Sequence, residues 1–220
     1  MTDILKQFSK TRRGVMLILG GPSGTGKSTV VKKMLELDKN ISWSVSATTR
    51  QPRQGEIDGI DYHFISDEKY NEYRDSDAFY EYVDSEYGGR YGTLRSEVDQ
   101  FINVGRDVIF DMDQDGLRQM KAKAPYDVVS IFLLPPSIKE LRNRLENRKT
   151  DSQEIINKRM NLAVDRLKYW ADYDYVVVSL DIDQTVETVR QILSAERMKR
   201  QRQTGLFKFT DELMEEAKNG

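Results

Sequence analysis

Residues 21–28 read Gly-Pro-Ser-Gly-Thr-Gly-Lys-Ser and match the pattern G-x-x-x-x-G-K-[ST] at every position. The chemistry explains the spacing. Glycines let the backbone curl until successive N–H groups point inward at phosphate oxygens, and a helix that follows adds its positive end. A lysine placed like Lys27 reaches the outer phosphates of a nucleoside triphosphate, and a hydroxyl placed like Ser28 can ligate a divalent cation. Gly21, Pro22, Ser23, Gly24, Thr25, Gly26, Lys27 and Ser28, continued by Thr29, are therefore the candidate triphosphate site. A glycine-rich turn with an accidental lysine is the plainer alternative. Against it, an apolar run precedes the loop and helical spacing follows, which is the strand–loop–helix context the motif requires. The motif leaves the acceptor open.

A second cluster spans residues 46–62. Arg50 and Arg53 lie three residues apart, with Tyr62 close downstream. Two guanidinium forks and a phenol can converge on a phosphate, although composition alone equally allows a solvated basic loop. Asp111 ends an apolar run, at the carboxyl end of a strand where open α/β sheets bind ligands. The plainer reading makes Asp111 or Asp113 the N-cap of the next helix. Glu81, within Phe-Tyr-Glu-Tyr-Val, would face solvent by strand alternation. Tyr62 and Tyr91 could be packing aromatics.

Positioning these groups takes a scaffold of alternating strands and helices. Short β-prone runs fall at 15–19, 43–46, 107–112, 128–134 and 175–178, with helical spacing at 28–37, 116–123, 138–148, 154–173 and 185–202. This alternation predicts a doubly wound α/β core with a parallel sheet. From 48 to 101 the apolar runs shorten and Gly, Tyr, Asp and Arg dominate. That stretch reads as an inserted mixed segment, with strands near 62–65 and 79–83 and helices near 67–74 and 95–103.

Bulk composition narrows the class. At 220 residues the chain is long enough to bury a sizeable core. With 38% hydrophobic and 32% charged residues it is well solvated, yet too apolar for a disordered chain. A formal net charge of −2 predicts no nucleic-acid or membrane partner. There is no cysteine, which excludes disulfides, cysteine-ligated zinc and iron–sulfur clusters. The N-terminal apolar run is too short for a signal peptide, and no stretch approaches the ~20 apolar residues of a membrane span. A cytoplasmic protein is expected.

The run Ser-Ala-Thr-Thr-Arg-Gln-Pro-Arg-Gln-Gly-Glu at 46–56, with Gly-Ile-Asp-Tyr at 59–62, resembles the GMP-binding segment of guanylate kinases. The resemblance spans roughly 15–192, through the phosphate loop, Phe-Tyr-Glu-Tyr at 79–82, Arg-Tyr-Gly-Thr at 90–93 and Asp-Met-Asp-Gln-Asp-Gly at 111–116, in the family's order. It implies a phosphate-loop NTPase three-layer core, with an inserted mixed α/β GMP-binding subdomain and a helical lid. The implied reaction moves the γ-phosphoryl of ATP onto GMP, and onto dGMP, with Mg²⁺. The implied domain covers 14–205: core at 14–46, 104–136 and 171–195, GMP-binding subdomain at 47–103, lid at 137–170. A C-terminal helical tail covers 196–220. Both monomer and homodimer remain open.

Carried across by position, the resemblance assigns the GMP phosphate to Arg50, Arg53, Tyr62 and Tyr91, with Glu56 orienting the arginines. The guanine edge falls to Ser46, Glu81, Thr93 and Asp113. Carboxylates accept from the N1–H and N2 amino donors of guanine, and hydroxyls can donate to O6. Adenine would leave such groups unpaired, a mismatch worth up to ~10⁴-fold in discrimination. Asp111 would hold Mg²⁺ through water, beside Ser28. Arg148 and Arg159 would close on the ATP phosphates, joining Lys27 and Arg50 as the catalytic cations, with Arg144 a weaker candidate. His63, the only histidine, is read as scaffold, because an acceptor phosphate is already anionic and needs no general base.

Some positions depart from the family pattern. Lys149 replaces the lid glycine, Asp115 the usual glutamine, and Ser179-Leu180 the usual Asn-Asp near adenine, so the adenine contacts are the least specified. Scaffolding domains that resemble guanylate kinases without catalysing the reaction typically have a degraded phosphate loop. Lys27, Ser28 and the lid arginines are intact here. Lys10, Arg12 and Arg13 read as a solvated basic lead-in, and the tail as a solvent-facing helical extension.

Overall fold

A computed structural model describes residues 12–84, 89–147 and 152–219. In chain order the strands are β1 (Met16–Gly20), β2 (Ile41–Trp43), β3 (Ala47–Thr48), β4 (His63–Phe64), β5 (Phe79–Asp84), β6 (Arg90–Leu94), β7 (Asp107–Asp111), β8 (Val128–Leu134) and β9 (Tyr175–Val178). The helices are α1 (Lys27–Leu37), α2 (Asp67–Asp75), α3 (Arg95–Ile102), α4 (Gln114–Lys123), α5 (Ile138–Glu146), α6 (Gln153–Leu167), α7 (Ile182–Arg197) and α8 (Leu206–Asn219). No helix among the described residues is long and apolar enough to cross a membrane.

The core sheet runs β2-β7-β1-β8-β9, every neighbouring pair parallel. Side-chain alternation on β1 sorts its residues onto two faces. Leu17 and Leu19 pack with Val30 and Met34 of α1 and with Val186, Val189 and Leu193 of α7. Met16 and Ile18 pack with Val98 and Ile102 of α3 and with Leu117 and Met120 of α4. Helices on both faces leave the central strands β1, β7 and β8 buried, so they read as unbroken apolar runs. Side-chain caps fix several helix starts: Ser66, Asp113, Ser137, Ser152 and Asp181 each accept from backbone N–H groups of the first turn, worth about 1 kcal/mol apiece.

A second sheet, β4-β3-β6-β5, is built from residues 47–94 around Ala47, Tyr70, Phe79 and Leu94. It is moored to the core through α4. The Gln119 amide pairs with both backbone groups of Tyr82, at 3.1 and 3.0 Å. Helices α5 and α6 form a third body with its own small core of Leu141, Leu145, Ile156, Met160 and Ala163.

Several local expectations shift. The strand expected at 43–46 is Ile41–Trp43, because pairing with β7 begins at Ile41↔Asp107 and ends at Trp43↔Ile109. After Ser44 donates to the Ile109 carbonyl, the chain leaves the sheet. The helix expected at 154–173 tightens into a 3₁₀ turn at Lys168–Asp172. The one expected at 185–202 stops at Arg197, and a separate 3₁₀ turn covers Arg200–Arg202.

Charge pairing explains that break and corrects the reading of both ends as solvated. Asp107 is fully buried and accepts from Arg12 Nη1 at 2.7 Å, Arg12 Nη2 at 3.0 Å, Arg197 Nε at 2.7 Å and Val15 N–H at 2.8 Å. Arg13 forks onto Asp127 at 2.7 Å. Arg202 is 2% exposed and donates to the carbonyls of Gly14 and Asp127 at 3.3 Å. Straight continuation of α7 is incompatible with turning Arg202 back under the sheet. Lys10 lies outside the described residues, while α8 buries no residue and matches the solvent-facing expectation.

Removing one member of a buried ionic group strands the others. D107A is expected to lower the unfolding free energy by about 3–5 kcal/mol in urea titration. A loss below about 1 kcal/mol, the scale of an exposed pair, would contradict this account of the knot.

Candidate functional site

At the carboxyl end of the core sheet, β1 turns into the glycine loop. Gly21 has φ +128°, and a Cβ there would sit 2.4 Å from the Leu133 carbonyl oxygen. Only glycine lets the loop pass over β8 so closely. Gly26, at φ +93°, starts α1, which has no side-chain cap. Its first N–H groups are therefore left for a ligand. Lys27 Nζ donates to the carbonyls of Gly21 at 2.8 Å and Pro22 at 3.1 Å, arching over its own loop. Thr25 is fully buried and braces the loop, its hydroxyl donating to Pro22 O at 3.0 Å.

Gly21, Ser23, Gly24, Gly26, Lys27 and Ser28 line a cleft of about 570 Å³. Pro22, Thr25 and Thr29 do not line it. Its opposite wall is Asp111, Met112, Asp113, Gln114 and Asp115, and its roof comes from α6 and the 3₁₀ turn, at Leu162, Asp165, Arg166 and Tyr169. Asp111 stays reachable by water through the cleft, but the surrounding protein still dominates. Burial pushes its carboxyl above the usual carboxylate range, with Lys27 and Arg166 pulling back. Among the described residues no three acidic or histidine side chains gather to hold a metal unaided. Ser28 and Asp111 nevertheless present hard oxygen donors to the same cleft, which suits a magnesium ion that keeps waters and shares a substrate's phosphates.

A second cavity of about 240 Å³ lies across the Asp111–Asp113 wall and is lined by Trp43, Ser46, Tyr62, Glu81, Tyr91 and Thr93 among others. Glu81 does not follow simple alternation. A register shift between Phe79 and Glu81 pairs Phe79 with Leu94 and Glu81 with Thr93, so Phe79, Tyr80 and Glu81 are all buried. Burial pushes the Glu81 carboxyl above its ordinary range, the Thr93 hydroxyl at 2.6 Å draws it back, and Asp113 adds to the push. Thr93 spends its one proton on Glu81, so in this conformation it steadies the carboxylate and offers no donor to a base. Asp113 is the N-cap of α4, as the plainer reading had it. Its Oδ1 caps α4, accepting from Asp115 and Gly116 N–H at 3.2 and 3.1 Å, and the residue lines both cavities.

Arg50 joins this cavity through its tyrosines. Its Nε donates to Tyr91 Oη at 3.2 Å, and its Nη atoms fork onto Glu56 at 3.0 and 2.8 Å. Its guanidinium carbon lies 5.3 Å from the Tyr62 ring. The Glu56 hydrogen bonds raise the Arg50 pKa further and hold the Glu56 carboxyl low. Glu56 also accepts from the Arg53 backbone N–H at 2.7 Å. The Arg53 side chain lines neither cavity. His63 pairs in β4, 3.8 Å from Glu97, and also lines neither.

The lid residues divide. Arg148 and Lys149 lie outside the described residues. Arg159 is half-buried on α6 and does not line the loop cleft. Arg144 serves as an anchor, donating to Glu140 and to the carbonyls of Ser179 at 2.9 Å and Leu180 at 3.1 Å. Sequence reasoning passed over Arg166, although it stands seven residues after Arg159, on the same helical face.

A strand-borne glycine loop, a parallel core and an acid-lined second cavity define a phosphate-loop nucleotide-binding protein. The sequence matches the family model described as guanylate kinase over residues 13–196. It is 48% identical over 213 residues to the guanylate kinase of Paramagnetospirillum magneticum, covering 97% of this chain and 98% of that one. It is 46% identical over 205 residues to that of Agrobacterium fabrum, covering 93% of each. The crystal structure of guanylate kinase from Anaplasma phagocytophilum superposes with a TM-score of 0.71 at 33% identity, over 93% of this chain and 97% of that one. The chain belongs to the guanylate kinase family.

Glu81 yields a pH prediction. A carboxyl raised on folding makes the native state bind more protons than the unfolded chain. Stability therefore falls as pH rises from the unfolded value of about 4.3 through the raised one. E81Q removes that cost and keeps an acceptor for Thr93. The ligand-free variant is expected to melt above wild type at pH 7.5, with the gap shrinking toward pH 4. A gap that stays constant across that range in thermal scans would remove the raised carboxyl.

Proposed function

We propose that this chain transfers the γ-phosphoryl group of ATP to GMP, giving ADP and GDP, with dGMP as a second acceptor. The observation that carries the reading is the pair of cavities sharing the Asp111–Asp113 wall, one formed by a phosphate loop and the other holding a buried carboxylate. The chain's substrates are then small soluble nucleotides. We place it in the cytoplasm, in purine nucleotide recycling, as a monomer or homodimer without nucleic-acid or membrane partners.

In this reading Lys27 and the loop amides hold the ATP phosphates, and the amides need no rearrangement because the glycines have already set them. Glu81 and Asp113 accept from guanine N1–H and the N2 amino group, while Ser46 supplies the remaining hydroxyl donor. Arg50, Tyr62 and Tyr91 grip the GMP phosphate, with Arg53 swinging in from the loop that Glu56 already ties to Arg50. Ser28, with Asp111 through water, would hold Mg²⁺. When bound, that ion would supply positive charge to neutralise the substrate phosphates. Arg148 and Arg159 close with the lid body, neutralise the transferring group and exclude water. The GMP oxygen is anionic at neutral pH, so positioning and charge replace a general base. Residues 47–103 and 137–170 act as the moving parts on a fixed core.

A coupled assay with ATP and GMP, AMP, CMP or UMP tests this directly. Turnover is expected with GMP alone among the four, and none with GMP overturns the proposal. K27A is expected to lose turnover while still binding GMP in calorimetry. E81A is expected to weaken GMP by ~1–3 kcal/mol, as for a buried polar partner lost. Unchanged kinetics would take Glu81 out of the guanine site.

A further inference from the structure

We propose that Arg166 is a further phosphate-binding side chain of the donor site, a lid cation that grips the ATP phosphates opposite Lys27. The inference rests on the reading that the glycine loop holds ATP. It starts from what each lid arginine already does. Arg144 is committed to Glu140 and to the carbonyls after β9. Arg142 donates to Asn157 and pairs with Glu146. Arg159, about two turns further out on the same helix, does not line the loop cleft. Arg166 alone among the described arginines of 137–170 lines that cleft, together with the loop glycines and Lys27.

Its guanidinium is exposed and makes no hydrogen bond or ion pair among the described residues. Four aspartates, Asp111, Asp113, Asp115 and Asp165, line the same cleft, and none of them pairs with it. It is close enough to Asp111 and Tyr173 for its charge to be felt at both. Five donors in a planar fork facing loop amides, with no protein acceptor, match an oxyanion with several equivalent oxygens. Geometry on α6 supports this. Leu162, Asp165, Arg166 and Tyr169 recur at helical spacing on the cleft face, and Arg166 sits about two turns closer to the core than Arg159. Arg166 therefore reaches the nucleotide from the root of the lid helix, where lid opening moves a side chain least.

The test uses the full chain and calorimetry with ATP and with ADP, no GMP present, alongside steady-state kinetics. For R166Q we expect the dissociation constant and KM for ATP to rise about tenfold or more, as for a lost charge-assisted hydrogen bond. GMP affinity and the melting temperature should stay within error of wild type. R166K should recover part of the loss, keeping the charge without the fork, and carries the comparison should R166Q melt early. R142Q, the same charge change outside the cleft, should bind ATP like wild type. ATP binding by R166Q within twofold of wild type, or an equal loss in R142Q, overturns the proposal. A wild-type chain that binds ATP but leaves GMP unphosphorylated overturns the reaction and leaves Arg166 to be decided by the binding data. One that binds no ATP overturns both.

Discussion

The parallel pairing of β7 with β1 sets Asp111 level with Leu19, just before β1 becomes the glycine loop. Everything at the site depends on that register. A slip of one residue would turn each side chain to the other face, carrying the carboxylate away from Lys27 and the apolar row into the cleft. In register, one strand ending serves two cavities, because Asp111, Met112 and Asp113 wall both. The helix that begins at Asp113 then carries Gln119 to Tyr82, so the second sheet is hung from the same point.

Charge is distributed to match. At the amino edge of the sheet, buried Asp107 is paired with the half-buried Arg12 and Arg197, and together they close the fold. At the carboxyl edge, charges are left costly or unsatisfied. Glu81 is buried with no ion pair among the described residues and only a minor pull from Lys123, Asp111 is raised by its surroundings, and Arg166 lines the cleft of the glycine loop. Arg50 is the intermediate case, its fork already aligned by Glu56 and Tyr91. Groups held out of their preferred state in this way mark where a ligand supplies the missing partner.

The core was legible because buried parallel strands leave uninterrupted apolar runs, and the glycine loop because its chemistry demands particular residues at fixed spacing. Glu81 was not legible from alternation, since one register shift in β5 buries three successive residues. Only its resemblance to the family's segment singled it out. Arg12, Arg197 and Arg202 looked like solvated charge because nothing local announces a partner some 90 or more residues away in sequence. Arg166 was missed although the seven-residue step from Arg159 was visible. A helix face shows in sequence, but which turn of it meets the cleft depends on how the lid body sits over the loop.

A crystal structure with GMP and a non-hydrolysable ATP analogue bound together measures the central claim. The account predicts guanine against Glu81 and Asp113, its phosphate on Arg50 and Tyr91, and the outer ATP phosphate over Lys27 across the Asp111–Asp113 wall. GMP seated elsewhere, or Arg50 turned into solvent with both nucleotides in place, would contradict it.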